Sequence, residues 1–549
     1  MDAIAEEGCP VPALLRRAAH NWPARVAVDF LGRRWRYSEL DSLVDRAAAG
    51  LQKLGLAHGD RVGLCLPNTP YFVVFFFAIM RAGGIVVNFN PLYTERELRH
   101  QIEDSGTTIM IVPDLLAVHG KVAAVADAGL RHIVLCGMAA AMPRLKGALF
   151  TLAKRRDIAR PSTDRLHVRF ETLIGDVRAP VEPATDPARD IALLQYTGGT
   201  TGLPKGAALT HANLTVNAAQ VIHHMGERPD EPERILGVLP LFHVFAMTSV
   251  LTSAVAIGAE MVLLPRFTMQ DTLAAIARRR PTMFPAVPTI YNAISTAAAT
   301  ASPKVRDGLR AIRMCISGGA PLPAEVKAHF EALTGCKVAE GYGLSETSPV
   351  VCCNRLDGTA VAGSVGQAVR GTTIEIRDLD DPTRMLPAGE RGEVCIRGPQ
   401  VMAGYWNRPD ETAAVMIDGA LRTGDVGYLD AKGYLFLVDR IKDLILCGGY
   451  NVYPRTIEEA LYRHPDVHEA TVIGVPDAYR GESPKAFVVL HPGATADVAA
   501  LRRFLDGELS RIEMPRDIEL RDSLPHTTIG KLSKKELVAE EAARTRHAA

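Results

Sequence analysis

Apolar and polar positions follow one another along this chain in two textures. Runs such as RVGLCLP (61–67), GIVVNFNP (84–91) and TIMIVP (108–113) are short, apolar and closed by turn residues. They predict buried strands. Between them, YFVVFFFAIMRAG (71–83) predicts a helix buried all round and ended at Gly83. ERELRHQIEDSG (95–106) predicts an amphipathic helix. Strands alternating with helices in this way predict an α/β fold with largely parallel sheets. Past about residue 360 the texture changes to short strands with Gly and Pro turns: TTIEIRD, GEVCIRG and GYLFLVD. That predicts a more antiparallel, barrel-like unit. From Arg455 the pattern returns to helix, strands and helix in TIEEALYRHP, EATVIGVP, KAFVVLHP and VAALRRFLDGEL. We place the junction at Asp439, which gives a large domain over 1–438 and a small α+β domain over 439–549.

Two stretches imitate membrane spans. Residues 71–80 are apolar but stop at Arg81, and 244–259 carry no charge but meet Glu260. Both fall short of the roughly 20 residues a span requires. A buried helix is expected in each place, the second leading into a strand.

The length of 549 residues exceeds what one compact core organises, so two or more domains are expected. The apolar fraction of 47% and charged fraction of 23% are those of an ordinary globular protein. Lys+Arg and Asp+Glu balance at 62 each, and no basic–aromatic pattern points to nucleic acid. None of the nine cysteines forms a C-x-x-C pair, so neither a zinc cage nor a disulfide framework is supported. The N-terminus lacks a signal-peptide apolar run, and a cytoplasmic location is expected. One basic segment breaks the balance: Arg144, Lys146, Lys154, Arg155, Arg156 and Arg160 flank apolar residues. It reads either as a solvated helix face or as a peripheral contact with the inner face of a membrane.

Chemistry concentrates in a few segments. YTGGTTGLPKG (196–206) has the glycines and hydroxyls of an anion-holding loop, with Lys205 as a positive charge. It is not the common nucleotide loop, which needs glycine before its lysine and Ser or Thr after it. EGYGLSETSPV (340–350) offers an aromatic between glycines and, in Glu346, a hard oxygen ligand suited to Mg²⁺. LRTGDVGYLD (421–430) places Asp425 as a carboxylate for a ribose diol. VDRIKDLILCGGYNVYP (438–454) gathers Asp439, Arg440, Lys442 and the pair Gly448–Gly449. LPHTTIGKLSKKEL (524–537) places Lys531 after a glycine. Each segment alone also reads as a solvated turn.

Taken in this order, the five segments resemble the adenylate-forming superfamily: acyl-CoA synthetases, luciferases and the adenylation domains of peptide synthetases. The resemblance runs from about residue 25 to 540. RAGGIVVNFNPLYTERELRHQIEDSG (81–106), GPQVMAGYWNRPDET (398–412) and NVYPRTIEEAL (451–461) are closest to bacterial long-chain fatty-acid–CoA ligases.

The resemblance implies a large N-terminal domain of two α/β sheets plus the barrel-like unit, with a mobile C-terminal lid hinged at Asp439. It implies that Thr197, Gly198, Gly199, Thr200, Thr201, Gly202 and Lys205 grip the phosphates of ATP. Mg²⁺ is expected between Thr197 and Glu346. Ser317, Gly318, Gly319 and Ala320 are expected beside adenine and the acyl group, and Glu340, Gly341, Tyr342 and Gly343 along the adenine wall. Asp425, with Arg440 close by, is expected to hold the ribose, and Lys442 to contact the nucleotide. Lys531 is expected to reach the carboxylate and α-phosphate. Gly448 and Gly449 are expected along the pantetheine path of CoA. His243 reads either as a buried structural residue or as a group bordering the carboxylate and thiol path.

The chain departs from the family pattern at His526, where Arg or Lys is usual, and at Met247, where some relatives gate the acyl tunnel with tryptophan. An acyl pocket from Phe242–Met247, Val287–Tyr291 and 344–351 is mostly apolar, which favours a carboxylic acid with an alkyl chain. The expected activity is that of a long-chain fatty acid–CoA ligase. A medium-chain or dicarboxylic, pimelate-type acid is the alternative. An acyl-AMP ligase serving a carrier protein, a luciferase-like oxygenase and a non-catalytic acyl or AMP sensor fit less well.

Overall fold

Parallel strands covered on both faces are largely apolar, because neither face meets water. Ile85–Asn88, Glu260–Leu263 and Met314–Ser317 are buried at every position. The computed structural model describes all residues except 1–3, 5–6, 161–163, 176–178, 198–203, 227–230, 358, 448–449, 478, 528–531 and 549. Among the described residues these strands belong to two large sheets. A nine-stranded sheet runs from Gln367–Ala368 through Val350–Cys353, Lys337–Gly343, Met314–Ser317, Met283–Ala286, Arg234–Gly237, Glu260–Leu263 and Val26–Phe30 to Arg33–Arg36. It is parallel in its middle and antiparallel at both ends. An eight-stranded sheet runs from Gly404–Tyr405 through Lys205–Thr210, Ile191–Thr197, Ile85–Asn88, Arg61–Leu64, Thr107–Pro113 and His132–Cys136 to His167–Arg169. The expected α/β class is the observed one.

The helix Pro70–Arg81 is buried along its whole length and shares one apolar cluster with strands of both sheets. The Thr69 hydroxyl accepts from the Phe72 N–H and starts it. Arg81, at its far end, is buried with its guanidinium on Asp41 (2.7 Å) and Asp45 (2.9 Å). A buried charge persists only when paired in this way. The apolar stretch 244–259 is the second interior helix, and it is not regular. Six residues, Met247–Thr252, have π-helical bonding between α-helical ends. Gly258 stops it at φ +67°, where a Cβ would lie 2.2 Å from the Trp22 ring. No helix among the described residues is long and apolar enough to cross a membrane.

The antiparallel unit past residue 360 is a five-stranded sheet ordered Thr373–Arg377, Gly392–Arg397, Ala420–Leu429 and Met416–Ile417, with Leu435–Arg440 also paired to Ala420–Leu429. The C-terminal sheet is built on the long hairpin Val467–Asp477 and Gly481–Leu490. Helices Pro454–Tyr462 and Val498–Asp506 pack into one core of this unit, and Leu537 of the last helix into another. Sheet membership changes between Arg440 and Ile445.

Candidate active site

In open α/β sheets ligands sit beyond the carboxyl ends of the parallel strands. Here Met314–Ser317 and Lys337–Gly343 end side by side, with Ser317 opposite Glu340. Their ends open on a cleft of about 2840 Å³ that also borders the hairpin 191–210, the antiparallel sheet and the C-terminal unit.

Thr197 and Lys205 face each other in register at the last rung of the hairpin, and both line the cleft. The ends of the glycine-rich loop are therefore clamped. Gly198, Gly199, Thr200, Thr201 and Gly202 lie outside the described residues. Tyr196, one residue earlier, donates its hydroxyl to Asp104 Oδ2 at 2.6 Å. Asp104 accepts from Arg408 at 2.7 Å, and Arg408 also reaches Glu411 at 3.2 Å. Glu411 completes the chain with an ion pair to Lys205, which holds the Glu411 carboxyl below the usual carboxylate range. The Lys205 Nζ also sits 5.2 Å from the Tyr405 ring centroid.

Gly318, Gly319 and Ala320 turn out of the first strand, with Gly319 at φ +85°. Ser317 is buried beside them and does not line the cleft. Glu340, Gly341, Tyr342 and Gly343 line the cleft from the second strand. Glu340 accepts from the Leu322 N–H at 3.0 Å, and burial raises its carboxyl. Gly343 has no room for a side chain, since a Cβ there would lie 1.9 Å from the Pro349 carbonyl oxygen. That contact closes the turn carrying Glu346, whose Oε1 accepts from the Tyr405 hydroxyl at 2.9 Å.

From the antiparallel sheet, Asp425 is buried and stands opposite Arg440 across the strand pair. Its Oδ2 accepts from the Tyr342 hydroxyl at 2.5 Å and its Oδ1 from Arg440 Nε at 3.1 Å. Burial first, and then the Asp425 charge, push the Tyr342 phenol well up. Lys442 lines the same wall, its ammonium lowered by burial and then by Arg440. Asp439 accepts from its neighbour's N–H at Arg440 and from the Arg455 N–H, both at 2.8 Å. It thus ties the end of the antiparallel sheet to the first turn of helix Pro454–Tyr462. Burial raises its carboxyl. Lys531, Gly448 and Gly449 lie outside the described residues; Thr527 and Leu532, on either side of Lys531, line the cleft. His526 binds within the C-terminal unit, to the Leu524 carbonyl at 2.8 Å and Glu469 at 3.1 Å.

His243 lines the cleft, and its Nδ1 accepts from the Phe245 N–H at 3.3 Å. In the neutral ring this puts the proton on Nε2. The preceding Phe242 carbonyl accepts from Gln195 Nε2 at 3.2 Å, and Gln195 Oε1 accepts from Asn88 Nδ2 at 3.0 Å.

The expected acyl-pocket residues divide. Phe242, Val244, Phe245, Pro288, Thr289, Leu344, Pro349 and Val350 line the cleft. Met247, Val287, Ile290 and Tyr291 do not; they are buried in the core, and the Tyr291 hydroxyl donates to the Phe284 carbonyl at 2.7 Å. The cause is helical period. On helix Pro288–Ala298 the positions 288, 289, 292, 293 and 296 face the cleft, while 290, 291, 294 and 298 face inward. Val221, His224 and Met225, spaced three and four apart, line the cleft as well and had no motif to mark them. Tyr405, Glu411 and Gln195 were equally unmarked. The signal available for Tyr405 and Glu411 was only their place within 398–412.

A family profile described as AMP-binding enzyme matches residues 15–406, and one described as AMP-binding enzyme C-terminal domain matches 456–531. A long-chain-fatty-acid–CoA ligase of Bacillus subtilis (strain 168) is 41% identical, over 96% of this chain and 94% of its own. The ATP-bound structure of MatB from Rhodopseudomonas palustris is 31% identical and superposes with a TM-score of 0.83, over 96% of this chain and 98% of its own. The apo structure of that same protein, 31% identical, gives 0.75 over 97% and 98%.

Proposed function

The chain belongs to the AMP-binding enzyme family, and from that membership we propose that it activates a fatty acid with ATP to an acyl-AMP and then transfers the acyl group to CoA. The observation that carries this reading is the cleft itself. It gathers Thr197, Lys205, His243, Glu346, Asp425 and Arg440 from three separate sheets and an interior helix. A free carboxylate is a poor acyl donor because its leaving group would be an oxide. The mixed anhydride with AMP supplies a better one, and the thiol of CoA then displaces AMP.

Lys205 and the loop hydroxyls neutralise the β- and γ-phosphates while the fatty carboxylate attacks the α-phosphorus and pyrophosphate leaves. Thr197 and Glu346 are a hydroxyl and a carboxylate, hard donors of the kind Mg²⁺ takes, and Tyr405 steadies the carboxylate. When bound, Mg²⁺ supplies further charge neutralisation at the phosphates. Glu340 to Gly343, with Gly319 and Ala320, form the adenine wall. Asp425 accepts both ribose hydroxyls, held by Tyr342 and Arg440, and Lys442 contacts the nucleotide. His243 positions the carboxylate, and Gln195 orients the segment that carries it. Lys531 reaches the carboxylate and α-phosphate in the first half-reaction. In the second, the unit 439–549 turns about Asp439 and brings Gly448 and Gly449 to the pantetheine path.

An alkyl chain suits the apolar wall of Phe242, Phe245, Val221 and Met225. Each buried CH₂ adds roughly 0.8 kcal/mol, so selectivity between neighbouring lengths is shallow. The test is CoA-dependent AMP release with ATP and Mg²⁺ across linear acids from butyrate to stearate, with pimelate included. A maximum among the long acids is expected. A maximum at pimelate or at a short acid overturns the long-chain assignment, and AMP release without thioester overturns the CoA-ligase reading. We place the protein in the cytoplasm, with the basic 144–160 segment as its peripheral contact with a membrane face.

A smaller effect follows from the ion pair at the loop. Glu411 offers Lys205 a carboxylate where the nucleotide offers phosphate. Glu411→Gln removes the competitor, so the KM for ATP falls about two- to fivefold at low salt, the range of a half-exposed pair. Initial rates at subsaturating ATP check it, and an unchanged KM refutes the competition.

A further inference from the structure

We propose that the helix Arg144–Ala153 is a membrane-docking device that inserts three leucines into an anionic lipid surface. The inference takes its purpose, delivery of a greasy acid, from the fatty-acid reading; the binding itself stands on the helix alone. Leu145, Leu149 and Leu152 are 75%, 57% and 70% exposed. Their spacing of four and three puts them in one stripe. Single exposed leucines are ordinary, but a stripe of three is not. Leu116 lies beside the turn that follows the helix. It is 46% exposed, and its N–H donates to the Asp157 carbonyl at 2.8 Å, just beyond the helix.

The rest of the helix is anchored to the body of the protein. Gly147 is buried, with space for no Cβ because the Ala139 carbonyl oxygen would lie 2.4 Å away. Lys146 donates to the Leu31 carbonyl at 3.0 Å, and Phe150 packs half-buried against the main apolar cluster. The leucine stripe is therefore presented by a fixed element.

Charge completes the surface. Six basic residues between 144 and 160 face a single acidic one, Asp157, in a chain whose formal charge is zero. Asp157 is taken by Lys154 at 2.9 Å. Among the described residues no carboxylate pairs with Arg144, Arg155, Arg156 or Arg160, all of them exposed. An apolar stripe collared by unpaired cations is the pattern of a helix that lies in a lipid interface, with the leucines among acyl chains and the cations at anionic headgroups. The complement this charge demands is a surface of negative charge.

The test is co-sedimentation of the full chain with phosphatidylcholine vesicles, with and without phosphatidylglycerol, at low and high salt. Binding only to the anionic vesicles, weakened by salt, is expected. The triple variant Leu145→Ser, Leu149→Ser, Leu152→Ser should lower the partition coefficient about tenfold. Arg155→Glu with Arg156→Glu should lower it at least as much, since each basic residue near the surface contributes roughly fivefold. Both variants should keep the parent's Tm and its rate on lipid-free octanoate, because the altered residues are exposed and do not line the cleft. Equal sedimentation of parent and both variants overturns the proposal, as does equal binding to neutral vesicles or none to either. Sedimentation needs no turnover, so absence of AMP release would count against the ligase reading and leave this result unaffected.

Discussion

Lys531→Ala lowers the rate of acyl-AMP formation by about 10²–10³-fold, the loss expected when one preorganised charge is removed from a transition state. The reasoning starts from electrostatics. A fatty carboxylate must approach an α-phosphorus already surrounded by negative oxygens, so both halves of the new bond need a cation between them. Lys205 stands at the base of the glycine-rich loop and lines the cleft. Lys531 belongs to the segment whose flanking residues Thr527 and Leu532 border the cleft on the side of the C-terminal unit. The effect should be confined to one half-reaction. Acid-dependent pyrophosphate exchange reads the first half, and thioester formation from supplied acyl-AMP reads the second. The variant should lose the first and keep the second within about tenfold, because the proposed turn of the unit about Asp439 withdraws the lysine before the second half. Equal loss in both halves, or loss in neither, removes Lys531 from the proposed role.

Asp425→Asn should raise the KM for ATP by about 10–100-fold with a smaller change in kcat. A hydrogen bond to a charged group contributes roughly 1.5–3 kcal/mol, and this carboxylate is buried between the Tyr342 hydroxyl and Arg440. The amide keeps one acceptor oxygen, loses the charge and leaves Arg440 without its partner. Ribose lies away from the reacting phosphorus, so the lost contact binds ground state and transition state alike and appears in KM. Tyr342→Phe tests the same wall from the other side. It removes the phenol that donates to Asp425 but keeps the ring, and its effect should be smaller. An Asp425→Asn variant with unchanged KM for ATP would place the ribose elsewhere. An unchanged KM for the fatty acid and an unchanged Tm guard against a general loss of structure.

Much of the fold was legible because burial leaves a periodic trace. The strands at 61–64, 85–88 and 107–113 and the helices at 70–81 and 95–105 fall where the apolar runs and the amphipathic pattern placed them. Length decided against membrane spans, and Arg81 shows why the charge that ends the first run is tolerated inside: Asp41 and Asp45, far away in sequence, neutralise it. The lining expected for an acyl group was legible only in part. Phe242 and Thr289 line the cleft, whereas Met247 and Tyr291 belong to the core. A quoted stretch of helix contributes only one face to a cavity, and sorting its residues requires knowing which face is turned inward. Met247 in particular sits in a π-helical segment, where the bonding period departs from 3.6 and no sequence rule sets the facing.

By itself the sequence determined the family, the α/β class and a set of charged, aromatic and glycine residues that do share the cleft. Those properties are carried by local patterns: glycines where backbone must come close, apolar runs where strands are covered, charged residues in a set order. Only the tertiary structure decided which groups complete the motifs. Tyr405 on Glu346, Tyr342 on Asp425, Glu411 on Lys205 and Gln195 behind Phe242 each join residues separated by tens to hundreds of positions. It also decided that the leucines of 144–153 face outward rather than into the core. The physical reason is the same in each case. A hydrogen bond, an ion pair or a buried face is a relation between surfaces, and the chain brings those surfaces together only when its sheets and helices pack.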